Sequence, residues 1–371
     1  MSDHPLRVSI ILGTRPEAIK LAPVIQAFRQ EPSLHTEVVL TGQHREMVDQ
    51  VMQLFGLEAN ADLAIMRPQQ TLTEITCRSL EGLANYFQAH HPDLVIVQGD
   101  TTTAFAAALA AFYEKIPVAH VEAGLRTDNI YSPYPEEANR RLVSQLTTLH
   151  FAPTLKAVDH LKSSGVVGEI HHTGNTVIDA LLTVAQQQPD CPIDGLDWNR
   201  YRVLLATVHR RENWGDRLGD IGAGFLTILD QQPDTALLLP LHRNPLVREP
   251  LTALLGHHPR VFLTEPLDYH HLVGAMQRCY LLLTDSGGLQ EEAPGLGKPV
   301  LVLRDTTERP EAMEAGTARL IGTSATAIAT HALELLTDST AYEAMARAVN
   351  PFGDGHACDR ILAAVKQYFA L

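Results

Sequence analysis

Short apolar runs, each ending in a polar loop and followed by a helical apolar pattern, recur along the whole chain, and this alternation most restricts its fold. Residues 7–12, 38–40, 94–97 and 118–121 in the first half, and 203–207, 236–240, 261–263, 280–283 and 300–303 in the second, are almost continuously apolar. A strand covered on one face alternates apolar and polar residues; runs like these belong to strands buried on both faces, as in a parallel sheet flanked by helices. Parallel neighbours need a crossover, which the helical patterns supply. The expectation is an α/β chain with two similar doubly wound halves. Periodicity fades over 186–201, a stretch opening Gln-Gln-Gln-Pro-Asp-Cys-Pro, which reads as a loop near a domain junction. The domain boundaries expected are 1–175 for the first domain, with a helix at 357–371 packing back on it, and 176–356 for the second.

In an open α/β sheet, ligands bind beyond the carboxyl ends of the strands. The residues just past each apolar run are therefore the candidates. Leu283-Thr284-Asp285-Ser286-Gly287-Gly288-Leu289-Gln290-Glu291-Glu292 reads as a strand, a tight turn and a helix start. Such a turn points unpaired backbone N–H groups outward with the positive end of a helix dipole behind them, which suits a pyrophosphate. Glycine lets the ligand approach the backbone. Glu292, one helical turn past Gly288, is within reach of a ribose whose phosphates sit on the turn. The plainer use of Ser-Gly-Gly is to reverse the chain ahead of a solvated first helical turn.

A second strand–loop–helix junction, Gly13-Thr14-Arg15-Pro16-Glu17, places Arg15 in the loop and Lys20 one turn into the helix, where they face either an anion or solvent. Asp100, Glu122 and Glu136 are acids at strand ends or helix starts of the first half; His209, Arg210, His242, Ser286, Gly288, Glu292 and Arg309 hold the corresponding places in the second. Acids and histidines suit proton transfer, while arginines and amide-lined turns suit a diphosphate. Together they suggest chemistry on a nucleotide-activated substrate. Taken singly, Asp100 serves equally as a cap for the helix starting at Thr101, and Glu136 as a first-turn glutamate balancing the helix dipole.

Composition narrows the classes. A formal charge of −14 over 371 residues argues against a nucleic-acid surface. Cys77, Cys191, Cys279 and Cys358 form no C-x-x-C pair and read as thiols in a reducing compartment. No H-E-x-x-H or EF-hand spacing occurs, so no metal is expected. Without a leader pattern at the start or an apolar stretch long enough for a bilayer, the expectation is a cytoplasmic protein with no membrane partner.

The motifs Gly13-Thr14-Arg15-Pro16-Glu17-Ala18-Ile19-Lys20, Gly42-Gln43-His44-Arg45-Glu46-Met47, Gly99-Asp100-Thr101-Thr102-Thr103, His120-Val121-Glu122-Ala123-Gly124-Leu125-Arg126, Pro135-Glu136-Glu137-Ala138-Asn139-Arg140, His209-Arg210-Arg211-Glu212 and Asp285 to Glu292 resemble the bacterial non-hydrolysing UDP-N-acetylglucosamine 2-epimerases. The resemblance runs from residue 7 to about residue 360. It implies a GT-B architecture, two Rossmann-like domains with the active site in the cleft between them, and interconversion of UDP-N-acetylglucosamine and UDP-N-acetylmannosamine without a cofactor. It assigns catalysis to Asp100, Glu122, Glu136 and His209, and the UDP-sugar to Arg15, Lys20, Ser286, Gly287, Gly288, Glu292 and Arg309. It further implies a homodimer and a second, activating substrate site at Gln43, His44, Gln70, Arg210 and His242. Two features depart from the family pattern: Val208 stands where Gly or Ala is expected, and the segment Leu267-Asp268-Tyr269-His270-His271-Leu272 differs. A GT-B glycosyltransferase, a hydrolysing epimerase and a UDP-sugar sensor remain as alternatives.

Overall fold

The computed structural model describes residues 4–42, 45–65, 67 and 69–371. They pack as two compact units, Met1–Ala180 with Phe352–Leu371, and Leu181–Pro351.

The first unit alternates β1 (Leu6–Leu12), α1 (Arg15–Gln30), β2 (Leu34–Leu40), α2 (Arg45–Leu54), β3 (Ala61–Asp62), α3 (Leu72–His90), β4 (Leu94–Gln98), α4 (Thr102–Tyr113), β5 (Val118–Val121), α5 (Glu136–Leu146), β6 (Leu149–Ala152), α6 (Leu155–Ser163) and β7 (Glu169–His172). Its seven strands lie in the order β3-β2-β1-β4-β5-β6-β7, all parallel. In register, Ile10 stands beside Val38 on one side and Ile96 on the other. Every residue of β4 and β5 is buried, as their apolar runs require. One face of the sheet meets α3, α4 and α5 through Ile11, Val39, Val95 and Val97 against Leu83, Phe87, Val143 and the alanines of α4. Alanine there lets helix and sheet approach closely.

Helix α7 (Thr176–Gln186) carries the chain into the second unit. There β8 (Arg202–Thr207), α8 (Asp216–Gln231), β9 (Thr235–Pro240), α9 (Pro245–Leu255), β10 (Val261–Thr264), α10 (Tyr269–Arg278), β11 (Leu281–Thr284), α11 (Gly287–Glu292), β12 (Val300–Val302), α12 (Pro310–Glu314), β13 (Ala318–Leu320), α13 (Ala325–Thr337) and α14 (Ser339–Ala346) follow. The six strands are parallel in the order β10-β9-β8-β11-β12-β13. Leu204, Leu239, Leu283 and Leu301 of the sheet bury against Phe225, Leu251 and Ile328 of the helices. Val208 is buried in this same core.

The last helix, α15 (Ala357–Tyr368), returns to the first unit and packs on α1, with Lys366 Nζ 2.6 Å from Glu31 Oε2. Its first N–H groups, buried and without intrahelical acceptors, are met by Asp179, which accepts from Ala357 N at 3.3 Å and Cys358 N at 2.9 Å and so caps α15 from another helix. Three of the cysteines are buried; Cys77 is exposed. Among the described residues no helix is long and apolar enough to cross a membrane.

Candidate active site

In the first sheet the strand order reverses between β1 and β4, and the loops beyond these strands open a crevice. A cavity of about 350 Å³ lies there, lined among others by Glu17, Lys20, Asp100, Glu122, Glu136 and Asn139. Thr14 stands at the N-cap of α1, while the Thr101 hydroxyl caps α4 by accepting from Ala104 N at 3.0 Å, so Asp100 is not the cap of α4. Glu17 joins the two loops: its carboxylate accepts from Gly13 N at 3.0 Å, Thr14 N at 2.7 Å and the Thr101 hydroxyl at 2.6 Å. Burial pushes the Glu17 carboxyl up despite those donors.

Three carboxylates face the cavity in different ways. Glu122 follows β5 in the left-handed region, φ +64, uncommon for a residue with a side chain. Lys20 Nζ lies 2.6 and 2.7 Å from its two oxygens, Gln98 Nε2 donates to Oε2, and Asn175 Nδ2 donates to Oε1 at 3.2 Å. Lys20 is thus turned onto Glu122. Asp100 Oδ2 accepts from Nε of Arg140 at 3.0 Å and also from its Nη2, while Asn139 fixes the Asp100 backbone carbonyl at 3.0 Å. Glu136, the first residue of α5, has no hydrogen-bond partner among the described residues. Its neighbour Glu137 is fully buried and accepts from Thr127 N at 3.0 Å and Arg141 Nε at 2.6 Å. One glutamate holds the helix in place and the other presents its acid to the cavity.

Beneath Asp100, His120 is buried and its Nε2 lies 2.7 Å from the Gly99 carbonyl oxygen. Burial pulls this imidazole down to about 4, so it is neutral and carries its proton on Nε2 to make that bond. Arg15 is the first residue of α1, half-buried and outside the cavity lining. Gln70 bonds within its own loop, to Arg67 N at 2.7 Å and Ile65 O at 3.1 Å. Gln43 and His44 lie outside the described residues.

The second sheet reverses between β8 and β11, and the same logic gathers His209, Arg210 and the Asp285–Gly288 turn. Asp285, wholly buried, is the centre. It accepts from His209 N at 2.9 Å, Arg210 N at 2.9 Å and Asn213 Nδ2 at 3.0 Å, and from His209 Nδ1 at 2.8 Å. Burial alone would raise its carboxyl; the His209 hydrogen bond and charge, with the two backbone amides, hold it below the ordinary value. His209 is thereby fixed with Nδ1 inward. Its ring lies 6.2 Å from that of His242.

Ser286 caps α11. A Cβ on Gly287 would sit 3.5 Å from Arg210 Nη2 and 4.0 Å from Arg309 Nη2, so both guanidinium groups converge on this turn. Arg309 donates through Nε to the buried Glu291. Glu292 comes close to Gly288, where a Cβ would lie 3.5 Å from its Oε1, and Tyr269 donates to its Oε2 at 3.0 Å.

Sequence reasoning passed over Glu17, Gln98, Asn175, Asp285 and Tyr269 as site residues. Gln98 carried a signal, being the one polar residue closing the run Leu-Val-Ile-Val-Gln, and Asp285 directly precedes the Ser-Gly-Gly turn. Asn175 and Tyr269 are brought in by tertiary packing. Among the described residues no group of histidine, cysteine and carboxylate side chains could hold a metal ion.

The UDP-N-acetylglucosamine 2-epimerase family model matches residues 26–366. The chain is 49% identical over 371 residues to the UDP-N-acetylglucosamine 2-epimerase of Escherichia coli, covering 97% of this chain and 98% of the relative. It is 48% identical to that of Yersinia pestis over 373 residues, covering 98% and 99%. The crystal structure of the Neisseria meningitidis UDP-GlcNAc 2-epimerase bound to UDP-GlcNAc matches with a TM-score of 0.87 and 46% identity, covering 98% of this chain and all of that one. The GT-B class of two doubly wound α/β domains expected from the sequence is the class found. The chain therefore belongs to the UDP-N-acetylglucosamine 2-epimerase family.

Proposed function

We propose that the protein interconverts UDP-N-acetylglucosamine and UDP-N-acetylmannosamine without hydrolysing them. The observation that carries this reading is the convergence of three carboxylates, Asp100, Glu122 and Glu136, on one cavity at the ligand edge of the first sheet, in a chain of this family.

The proton at C2 neighbours an acetamido group, not a carbonyl, so a free carbanion there is too basic for a side chain to form. Removing that proton as the C1–O bond to UDP breaks gives a 2-acetamidoglucal, with the bonding pair leaving on the UDP oxygen. Protonation of C2 on the opposite face, with UDP returning to C1, completes the inversion. Two proton carriers on opposite faces are needed. The reading assigns these roles to Glu136, whose carboxyl has no partner among the described residues, and Asp100, held in place by Arg140. Glu122, clamped by Lys20, serves as a fixed charge against the sugar.

UDP must be stabilised first as leaving group and then as nucleophile. That role falls to the second unit: Ser286, Gly287 and Gly288 offer amides, Arg309 and His209 offer charge or a proton, and Glu292 takes the ribose. His209 suits the task because Asp285 orients its ring. The same reading assigns Arg15 to the diphosphate and Gln43, His44, Gln70, Arg210 and His242 to an activating second substrate molecule. It makes the protein a cytoplasmic homodimer supplying a bacterial surface-polysaccharide precursor.

The test is incubation with UDP-N-acetylglucosamine in D₂O, no cofactor added, followed by NMR. UDP-N-acetylmannosamine with deuterium at C2 is expected. Free N-acetylmannosamine with free UDP would mean hydrolysis, and an unchanged sugar would refute turnover of this substrate.

A further inference from the structure

Glu122 is the one acid in the cavity whose backbone sits in the left-handed region, and its carboxylate is met from three directions. Lys20 reaches it from α1 and Gln98 from β4, both elements of the sheet crevice itself. The third donor comes from elsewhere. Asn175 immediately precedes α7, is buried, and reaches Glu122 Oε1 at 3.2 Å. Its amide orientation is settled by its other bond: Oδ1 accepts from Val177 N at 3.1 Å, so Nδ2 is the group turned to the carboxylate.

The backbone around Asn175 is clamped. Its N–H donates to Phe352 O at 2.6 Å. Gly174 (φ +85) and Gly353 (φ +149) bring the two segments backbone to backbone: a Cβ on Gly174 would be 3.3 Å from Gly353 Cα, and one on Gly353 would be 3.4 Å from Asn175 N. Arg360 joins the same segments, donating to Thr173 O at 3.0 Å and Asp354 Oδ1 at 2.8 Å. These segments flank the crossings of the chain, which leaves the first unit after Ala180 and re-enters it at Phe352.

We propose that Asn175 is a positioning residue for Glu122, delivering its amide to that carboxylate from the junction where the chain leaves the first unit and returns to it. This rests on the reading of Glu122 as part of the reacting site. Lys20 and Gln98 fix the carboxylate relative to the crevice; Asn175 fixes it relative to residues 173–175 and 352–354. A change in the packing of Gly174 on Gly353 therefore displaces a donor on the acid, although neither glycine touches the cavity.

The experiment uses the full-length protein labelled with ¹³C at the glutamate carboxyl carbon, the Glu122 signal assigned by its loss in Glu122→Gln. Asn175→Asp keeps the acceptor that Val177 needs and sets an oxygen where the donor stood; Asn175→Ala removes both. The titration midpoint of Glu122 is expected to rise by about one pH unit in Asn175→Ala and further in Asn175→Asp, because a donor to the charged form is lost. Gly353→Ala, which keeps the Asn175 side chain but crowds its backbone, should give a smaller rise. With UDP-N-acetylglucosamine, kcat should fall about tenfold, as for loss of a hydrogen bond to a charged group, while UDP affinity stays within twofold. An unmoved Glu122 midpoint in both Asn175 variants overturns the proposal, as does a kcat loss accounted for by unfolded protein alone. A wild-type enzyme without turnover defeats the proposed reaction, and the titration still decides the role of Asn175.

Discussion

The ligand edges of the two sheets use one backbone device with opposite electrostatics. In the first unit three carboxylates face the cavity, and the cations Lys20 and Arg140 restrain two of them, Glu122 and Asp100. In the second unit the fully buried group is a carboxylate, Asp285, and the more exposed one is His209. On the first edge the carboxylates face outward and cations restrain two of them; on the second the carboxylate is the buried restraint and a histidine ring faces outward. The difference teaches that the two β/α edges are not interchangeable halves of one repeat, and the proposed reaction uses them differently, the first for moving protons and the second for donating to an anion.

The largest expected effect breaks the second edge. Asp285→Asn cannot accept from His209 Nδ1 and the amides of His209 and Arg210 as a carboxylate does, so kcat should fall roughly a thousandfold or more through loss of the His209 orientation. An activity within tenfold of wild type would show that His209 needs no such partner. On the first edge, Glu136→Gln should lower kcat about a hundredfold, with thermal stability unchanged because no hydrogen bond among the described residues is lost. Glu137→Gln should do the reverse, lowering the melting temperature by several degrees, because the buried Glu137 carboxylate loses its pairs with Arg140 and the half-exposed Arg141. If both variants lose activity at full stability, the division of labour between the adjacent glutamates is wrong.

Acid should separate the two units. His120 is held by burial at about 4, below its ordinary 6.5. The unfolded chain takes up a proton from 6.5 downward while the folded one does not, so the stability this residue contributes is complete above pH 6.5 and is lost as pH falls toward 4. By pH 5 the loss is about 2 kcal/mol. Asp285, depressed from 3.8, contributes above that value and is lost only below it. Urea midpoints followed by hydrogen exchange at pH 7.5 and 5 should show the first unit weakening before the second; equal weakening would refute the difference. The smallest effect is at the turn. Gly288→Ala places a methyl in ordinary contact with Glu292, 3.5 Å from Oε1, and should raise KM only a few fold, read by steady-state kinetics.

Much of this was legible in the sequence. Runs such as Leu94–Gln98 declare a strand buried on both faces, and Pro at a first helical turn declares α1. The strand Glu169–His172 was not legible, because Glu-Ile-His-His at the sheet edge is half exposed and carries no apolar run. Nor were β3 and β13, two and three residues long. That Asp100, Glu122 and Glu136 share one cavity was legible because they follow strands or open a helix at the ligand edge of an α/β sheet. What chain order could not reveal is which side chain restrains which acid: Lys20 lies 102 residues from Glu122, and Asn175 lies 53. Those distances close only once the sheet order is set.

The return of α15 to the first unit has a consequence for synthesis. Residues 352–371 complete that unit, bracing α1 through Lys366 and taking their cap from Asp179. While the chain is still on the ribosome, residues up to Ala180 wait for residues 352–371, which are made later. The second unit, Leu181–Pro351, is contiguous and is the earlier of the two to have all its parts. The order of assembly thus runs against the order of the sequence, and the donor from Asn175 to Glu122 takes its final place only when the segment beginning at Phe352 has emerged.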